Sequence, residues 1–356
     1  MSLQLFSRRQ ARSPLQPCAS LAPHARPAVL ITGASTGIGK ATALHLSKNG
    51  WQVFAGVRRE ADGAALTSLD PSIVPLLLDV TSDESTAAAV SELKKHLQGP
   101  QPPPTTATGS FGDEASDANQ SSSTSNGNNS GNNSGCRNLS GLVNNAGKGL
   151  FAPLELMPLA AFEDVMSVNV TGVLRVTQAV LPLLKKTQPH QQPGRIVNIG
   201  SYAGSIALPL FGAYATSKFG LEALSDVMRY ELGPKFGIRT ALIKAGGVRT
   251  PIWDKSVAAS EVTMGAAEEE AMRPYREMCE EIIGLSRAAE ENGISADKVA
   301  EIVAEALTAA NPKSRYLIGN GGAEWEMTAR RLLPDWIWDK LLLSKLVKTR
   351  QPFEQS

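Results

Sequence analysis

The sequence predicts a doubly wound α/β fold, in which a parallel sheet carries helices on both faces. From residue 28 onward, short apolar runs alternate with stretches of helical periodicity. The first apolar run is followed by a glycine-rich turn that opens a helix, Thr32-Gly-Ala-Ser-Thr-Gly-Ile-Gly39. Strand, helix and strand at this spacing indicate parallel strands joined by crossover helices.

The alternation predicts the elements of one α/β domain, formed by residues 28–98 and 138–322. Strands are predicted at residues 28–32, 52–57, 73–79, 139–144, 195–199, 238–244 and 315–318. Helices are predicted at 37–49, 83–97, 165–186 and 214–236, and a polar, helical stretch follows the sixth strand to about residue 292.

A low-complexity segment, residues 99–137, interrupts this alternation. It begins with a proline run and continues as a Ser, Asn and Gly tract. Such a composition buries too little apolar surface to offset the entropy lost on ordering. We therefore expect a disordered insertion rather than a second domain.

Composition excludes several classes of function. The 356 residues include 35 Lys and Arg against 34 Asp and Glu, so the overall charge gives no attraction to nucleic acid. The three cysteines, Cys18, Cys136 and Cys279, lack metal-site or disulfide-framework spacing, and no metal site is expected. No stretch approaches the roughly 20 apolar residues of a transmembrane helix.

The N-terminal extension, residues 1–27, contains four arginines, and the first acidic residue of the chain is Glu60. This resembles an organelle transit peptide, although a disordered cytosolic tail would have a similar composition. A plastid or mitochondrial location and a cytoplasmic one therefore both stay open. The absence of an apolar secretory region argues against secretion.

The glycine-rich turn has the chemistry of a pyrophosphate-binding loop. Gly33, Gly37 and Gly39 permit a tight turn and close backbone approach, and Ser35 and Ile38 lie between them. The N-terminus of the following helix offers free N–H groups and a partial positive charge. The strand before and the helix after make this turn a stronger signal than a bare glycine triplet.

A second group of residues suggests proton transfer. Tyr214 and Lys218 lie four residues apart, on one face of a predicted helix. A free tyrosine titrates near 10, and a nearby ammonium group favours its ionised form. Ser201 ends a strand thirteen residues earlier, at the carboxyl edge of the sheet, where ligands bind in open α/β folds.

In order and spacing, these motifs resemble those of the short-chain dehydrogenase/reductase family. The resemblance covers nearly all of residues 28–319 outside the insertion. Asp79 and Val80 resemble the family's adenine-contacting pair, and Asn144-Asn-Ala-Gly147 resembles its fourth-strand motif beside the cofactor. Asn169 matches the helix asparagine that holds a proton-relay water in the family.

The resemblance implies a catalytic tetrad of Asn169, Ser201, Tyr214 and Lys218. Tyr214 would exchange the proton, Ser201 would bond the substrate oxygen, and Lys218 would bind the nicotinamide ribose and lower the tyrosine pKa. Residues Asn145, Ala146, Gly147, Gly246, Val248 and Thr250 are expected to contact the cofactor. A cofactor-sensing protein without turnover is the alternative, which the intact tetrad argues against.

The chain departs from the family pattern after the sixth strand. Where the family usually has Pro-Gly, this sequence has Ala245-Gly246, preceded by Lys244. Alanine does not fix φ as proline does, so the rigidity of this loop is in question. Thr250 keeps its place, and we expect it to hold the nicotinamide amide.

The end of the second strand predicts NADP(H) in preference to NAD(H), with NAD(H) still usable. NAD-binding sheets of this kind place a carboxylate there, and here the position falls on Val57. Arg58 and Arg59 follow, and guanidinium groups suit a phosphate. Glu60 and Asp62 are close enough in sequence to pair with one of them.

The substrate is expected to be a small hydrophobic alcohol or ketone of steroid, retinoid or lipid type. Overall resemblance, including residues 53–58, favours family members that act on such compounds. The C-terminal extension, residues 323–356, is apolar and helical. It could pack on the domain, cap a lipophilic pocket, lie on a membrane surface or form an interface, and we expect a homo-oligomer.

Overall fold

The computed structural model describes residues 26–98, 138–185, 192–319 and 323–346. Nearly all of the N-terminal extension and the whole predicted insertion lie outside these residues, so the disorder and transit-peptide expectations stay predictions. Two kinds of helix, α and 3₁₀, surround a central sheet, and a short π-helical stretch interrupts one α-helix.

A seven-stranded parallel sheet forms the centre of the molecule, in the order β3-β2-β1-β4-β5-β6-β9. Its strands are β1 (Ala28–Ile31), β2 (Gln52–Val57), β3 (Val74–Leu77), β4 (Leu139–Asn144), β5 (Arg195–Ser201), β6 (Arg239–Ala245) and β9 (Arg315–Ile318). A separate two-stranded pairing joins β7 (Val248–Arg249) to β8 (Ile294–Ser295). Strand order reverses between β1 and β4, which creates the crevice where ligands bind in such sheets.

Helices cover both faces of the sheet. They are α1 (Gly37–Lys48), α2 (Glu60–Leu69), α3 (Asp83–Gln98), α4 (Leu159–Met166), α5 (Gly172–Leu184), α6 (Gly212–Phe236), α7 (Ile252–Gly265), α8 (Glu269–Met272), α9 (Arg276–Asn292), α10 (Ala296–Thr308), α11 (Ala323–Leu332) and α12 (Asp335–Leu346). One buried core lies between the sheet and the α1 and α10 side. The other lies on the opposite face, against α3, α5 and α6.

The predicted fold class and all seven predicted strands are confirmed, with bounds that differ by one or two residues. The sequence reading missed α2 and α10, and the long helix before β5 starts at Leu159 rather than at residue 165. That helix contains a π-helical stretch, Ser167–Thr171, between α4 and α5. Its predicted last residue, 186, lies outside the described part of the chain.

One helix among the described residues, Leu159–Leu184, is long and apolar enough to cross a membrane. Its side chains Val173, Val176 and Val180 belong to the buried core against the sheet. The expectation that no stretch is apolar and long enough to span a membrane is therefore wrong for this helix by length and composition. The position of these side chains in the core explains why the helix is apolar.

Candidate active site

A cavity of about 570 Å³ opens at the carboxyl ends of the parallel strands. Most of the predicted site residues line it: Gly33, Ser35, Gly37, Ile38, Arg58, Asp79, Val80, Asn145, Ala146, Gly147, Ser201, Tyr214, Lys218, Gly246, Val248 and Thr250. Two predicted residues, Gly39 and Asn169, do not line the cavity, but they contact residues that do. Among the described residues, no group of three His, Cys, Asp or Glu could hold a metal ion.

The glycine-rich turn between β1 and α1 forms one end of the cavity. Gly33 and Gly37 have φ values of 64° and 56°, in the left-handed region that favours glycine. A Cβ at Gly33 would lie 2.8 Å from the Ala146 Cα, so the turn and the chain after β4 touch backbone to backbone. A Cβ at Gly39 would overlap the Gly33 carbonyl and the Asn145 amide.

Hydrogen bonds lock this turn to the segment after β4. The backbone N–H groups of Asn145 and Ala146 both donate to Thr32 Oγ1, at 3.0 Å. In return, Asn145 Nδ2 donates to the carbonyls of Thr32 and Gly33, at 2.9 Å. Asn145 thus holds the turn as well as lining the cavity, and Thr32 is a supporting residue that the sequence reading did not single out.

These features fit the pyrophosphate of a dinucleotide. Thr36, the N-cap residue of α1, makes no side-chain capping bond, so the first turn of the helix keeps N–H groups for a ligand. A side chain at Gly33 or Gly39 would collide with neighbouring protein atoms and displace the turn that presents these N–H groups. Both Ser35 and Thr36 line the cavity beside it.

The two arginines that follow β2 differ in their contacts. Arg59 donates to both carboxylate oxygens of Asp62, at 2.8 and 2.9 Å. Arg58 lines the cavity, and no ion pair among the described residues engages it. Val57 ends the strand without a carboxylate. A guanidinium group is therefore available where an adenosine ribose would lie in a sheet of this type.

Asp79, after β3, lies on the same side of the cavity. Burial raises the pKa of its carboxyl, but hydrogen bonds from the Thr81 side chain and backbone outweigh this and hold it below its ordinary value. The carboxylate is therefore ionised at neutral pH and already oriented by Thr81.

Tyr214 and Lys218 come from the first turns of α6, and Ser201 from the end of β5. Tyr214 and Ser201 both line the cavity, and Ser201 Oγ accepts from the Ala203 N–H at 3.1 Å. Lys218 Nζ lies 5.6 Å from the centre of the Tyr214 ring and donates to the Ile199 carbonyl at 3.0 Å. The structure thus brings the two hydroxyls and the ammonium group together.

The expected lowering of the tyrosine pKa is not found in this structure. Burial raises the pKa of the Tyr214 phenol, and the hydrogen bond with Ser201 only partly opposes the rise. Burial also lowers the pKa of Lys218 to about 8. The reason is that desolvation disfavours both charged forms.

Asn169 occupies the π-helical stretch and is buried, 1% exposed. Its Oδ1 accepts from the Lys148 N–H and its Nδ2 donates to the Lys148 carbonyl, each at 2.9 Å. Nδ2 also donates to Ser217 Oγ at 2.9 Å. Asn169 therefore fixes the backbone next to Gly147 from behind, which agrees with the frequent use of π-bulges at functional sites.

The segment after β6 keeps its shape without proline. The Gly246 N–H donates to the Ile318 carbonyl at 2.9 Å, and the Tyr202 ring packs against Gly246 so closely that a Cβ there would lie 2.8 Å from the ring. Thr250 packs against the glycine turn, since a Cβ at Gly37 would meet its methyl group at 3.1 Å. Packing contacts, rather than the fixed φ of a proline, therefore hold the loop after β6 in place.

An apolar and aromatic cluster lies beside the cavity, and two of its members, Trp253 and Tyr214, also line the cavity. The rest of the cluster includes Phe151, Leu210, Phe211, Val257, Met264, Tyr275, Met278 and Ile282. The Phe151 ring lies 4.5 Å from that of Phe211 and 6.4 Å from that of Trp253. This cluster includes Tyr214, so an apolar surface adjoins the phenol.

The cavity lining includes residues that the sequence did not predict, among them Lys148, Asp164, Lys255 and Ser256. Lys148 pairs with Asp164 at one side, and Lys255 and Ser256 enter from α7. Nothing in the local sequence marks them, because their relevance depends on how α4 and α7 fold over the strand ends.

Comparison with known proteins identifies relatives over most of the chain. The family model described as short chain dehydrogenase matches residues 27–100 and 130–261. A 3-amino-tetrahydro-pyrrolizinone reductase from Xenorhabdus hominickii is 30% identical over 83% of this chain and 87% of its own. Retinol dehydrogenase 7 from Rattus norvegicus is 30% identical over 90% of this chain and 89% of its own.

Two solved structures show the same fold. A short-chain dehydrogenase from Streptomyces avermitilis has a TM-score of 0.62 at 23% identity, over 90% of this chain and 97% of its own. A short chain dehydrogenase from Burkholderia cenocepacia in complex with NADP has a TM-score of 0.57 at 20% identity, over 91% of this chain and 98% of its own.

Proposed function

The chain belongs to the short-chain dehydrogenase/reductase family and is an oxidoreductase acting on CH–OH groups, and from that premise we propose its finer function. It transfers a hydride between NADP(H) and a hydrophobic carbonyl or secondary alcohol, with Tyr214 as the acid/base. The observation that carries this proposal is that Tyr214, Ser201 and Lys218 line the same cavity as the glycine turn.

The nicotinamide cofactor supplies the hydride when it is bound. The residues proposed to hold it are the glycine turn, Arg58, Asp79, Val80, the segment 145–147, Lys218, and Gly246, Val248 and Thr250. Tyr214 is neutral at neutral pH because its pKa is raised, and a neutral phenol is the form that donates a proton to a carbonyl oxygen. Ser201 donates a hydrogen bond to that same carbonyl oxygen, and Asn169 fixes the neighbouring backbone.

NADP(H) is supported by the arginines after β2. Asp62 occupies Arg59, which leaves Arg58 for a 2′-phosphate. A relative from Ornithobacterium rhinotracheale, 27% identical over 90% of this chain, is described as an NADPH-dependent reductase. Val57 offers no carboxylate to repel the phosphate.

A hydrophobic substrate is supported by the apolar residues that α7 adds to the cavity lining, Ile252, Trp253 and Ala259. Apolar substrates gain binding free energy from buried area, which a ring such as that of Trp253 provides. One relative is named for retinol and another, 11-beta-hydroxysteroid dehydrogenase type 2 from Homo sapiens, for a hydroxysteroid. That relative is 30% identical over 84% of this chain.

A homo-oligomer is supported by the outer face of α6. Phe219, Val227 and Tyr230 are exposed there, and Leu174 is exposed on α5. For the C-terminal extension, Met327 and Trp338 are buried while Leu332 and Trp336 are exposed, so the alternatives of membrane contact and interface apply to the exposed part only.

An absorbance screen tests the proposal. Purified protein is mixed with NADPH or NADH and a panel of ketones, and with the oxidised cofactors and matching alcohols. We expect turnover with lipophilic members and with NADP(H) above NAD(H). Turnover confined to small polar substrates, or none at all, would contradict it.

A further inference from the structure

Lys244 is almost completely buried, at 1% exposed, in a central strand of the sheet. It alternates along β6 with Ile243 and Ala245, which face α1 and α10, and so shares with Leu242 the face that α6 covers. Lysine is rarely buried in this way unless it is paired, because its charge loses hydration.

The ammonium group of Lys244 joins two different elements. Its Nζ lies 2.5 Å from Glu222 Oε1, on α6, and it also donates to Ser205 Oγ. Arg315, from β9, engages the other oxygen of Glu222 at 2.9 Å and Asp226 at 2.8 Å. Glu222 is thus held between a lysine and an arginine.

Glu222 lies on the same face of α6 as Tyr214, the proposed acid/base. Tyr214, Lys218, Glu222 and Asp226 follow one another at four-residue spacing, which places them along one face of the helix. The ion pair with Lys244 therefore ties this face to β6, two helical turns beyond Tyr214.

Ser205 belongs to the segment that carries the other hydroxyl. Ser201 ends β5 and caps the 3₁₀ turn Tyr202–Gly204, and the Ser205 N–H donates to the Tyr202 carbonyl at 2.8 Å. The turn presses on α6, since a Cβ at Gly204 would lie 2.8 Å from the Lys218 carbonyl.

From these contacts we propose that Lys244 and Glu222 are positioning residues that hold the Ser201 turn and the Tyr214 helix in register. Lys244 forms an ion pair with α6 and donates a hydrogen bond to the segment after Ser201, from the strand that lies next to β5. A displacement of about 1 Å between two catalytic groups can lower a rate about 100-fold. The inference rests on the proposed roles of Ser201 and Tyr214.

The test compares two variants that each remove one cation from Glu222. Lys244→Met is expected to lower kcat about 10-fold to 100-fold while the Kd for NADPH and the KM for substrate stay within about threefold. Arg315→Gln removes the other cation from Glu222, and a cation from Asp226, but Arg315 has no ion pair or hydrogen bond to the Ser201 turn among the described residues. Arg315→Gln is expected to lower Tm about as much as Lys244→Met does, whereas its kcat should stay within about threefold of wild type.

Ser205→Ala covers the case in which Lys244→Met fails to fold. It removes only the acceptor on the turn, and we expect kcat to fall about threefold to tenfold with Tm nearly unchanged. An unchanged kcat in Lys244→Met or in Ser205→Ala would overturn the positioning role, and so would equal losses of kcat in Lys244→Met and Arg315→Gln. A wild-type protein without turnover on the whole panel would instead overturn the proposed function and this inference with it.

Discussion

The two ends of the cavity present different kinds of chemical group. The end formed by β1, β2 and β4 consists of glycine backbone, helix N–H groups and hydrogen-bonded side chains such as Asn145. The end lined by α7 contains Ile252, Trp253 and Ala259, and an aromatic and methionine-rich cluster packs against Trp253. Backbone groups suit phosphates and hydroxyls, whereas apolar area suits a ligand defined by its shape.

Tyr214 lies where these two ends meet, and changing it should remove chemistry without affecting either end. We expect Tyr214→Phe to lower kcat by about 100-fold to 10,000-fold, the usual contribution of a general acid. The Kd for NADPH, measured by fluorescence, should stay within about threefold. Tyr230→Phe is the matched control, since Tyr230 is exposed on the same helix. Activity above about a tenth of wild type would show that another group moves the proton.

A single added methyl group should disrupt NADPH binding at the nucleotide end of the cavity. A Cβ at Gly39 would collide with backbone of the glycine turn and with Asn145. We expect Gly39→Ala to weaken NADPH binding at least about 100-fold, through lost hydrogen bonds to the charged phosphates. Gly284→Ala serves as the control, because nothing lies within 4 Å of a Cβ there. Equal NADPH affinity in both variants would argue against phosphate binding by the glycine turn.

The two arginines after β2 sharpen the comparison within the nucleotide end. Arg58→Ala should lower the ratio of kcat/KM for NADPH over NADH by about 10-fold to 150-fold. Arg59→Ala should leave that ratio nearly unchanged, since Asp62 already occupies this guanidinium. A wild-type preference for NADH, or equal effects of both changes, would refute the assignment.

The substrate end should respond separately. Trp253→Ala removes a ring that lines the cavity and stacks on Phe151, and we expect kcat/KM for a lipophilic ketone to fall about tenfold. Cofactor affinity should hardly change. Val262→Ala, on the exposed side of the same helix, is the control. A larger effect on NADPH binding than on the ketone would place Trp253 at the wrong end.

The smallest expected effect concerns stability. Burial lowers the pKa of Lys218 to about 8 from its ordinary 10.5, so between these values the unfolded chain binds more protons than the folded one. The free energy of unfolding of wild type should therefore rise relative to Lys218→Met as pH increases through this window. Denaturant titrations at pH 7 and 10 measure this difference, with Lys235→Met as an exposed control. A constant difference would show that Lys218 is not desolvated.

The sequence predicted the nucleotide end far better than the substrate end. Glycines that need a positive φ, such as Gly33, leave a local signature, and the strand and helix around them place the turn. The Tyr214 and Lys218 pair is likewise local, because one helix carries both. Residues whose role depends on distant packing, such as Lys255 and Ser256, left no such signature.

Electrostatics were harder to predict than positions. From spacing alone, Lys218 was expected to lower the tyrosine pKa, but spacing gives no measure of burial. The structure surrounds both groups with protein atoms, and desolvation dominates their pKa shifts. The role of Lys244 was equally hidden, since the departure at residues 244–246 was visible but its partners Glu222 and Ser205 lie on other elements.

Isotope transfer tests the central claim most directly. Wild-type protein is incubated with a lipophilic ketone and NADPH that carries deuterium at the transferable position of the nicotinamide, and the alcohol product is analysed by mass spectrometry. The account predicts deuterium on the carbinol carbon, and none above background with Tyr214→Phe. Consumption of the cofactor without deuterium in the product, or equal transfer by the variant, would contradict it.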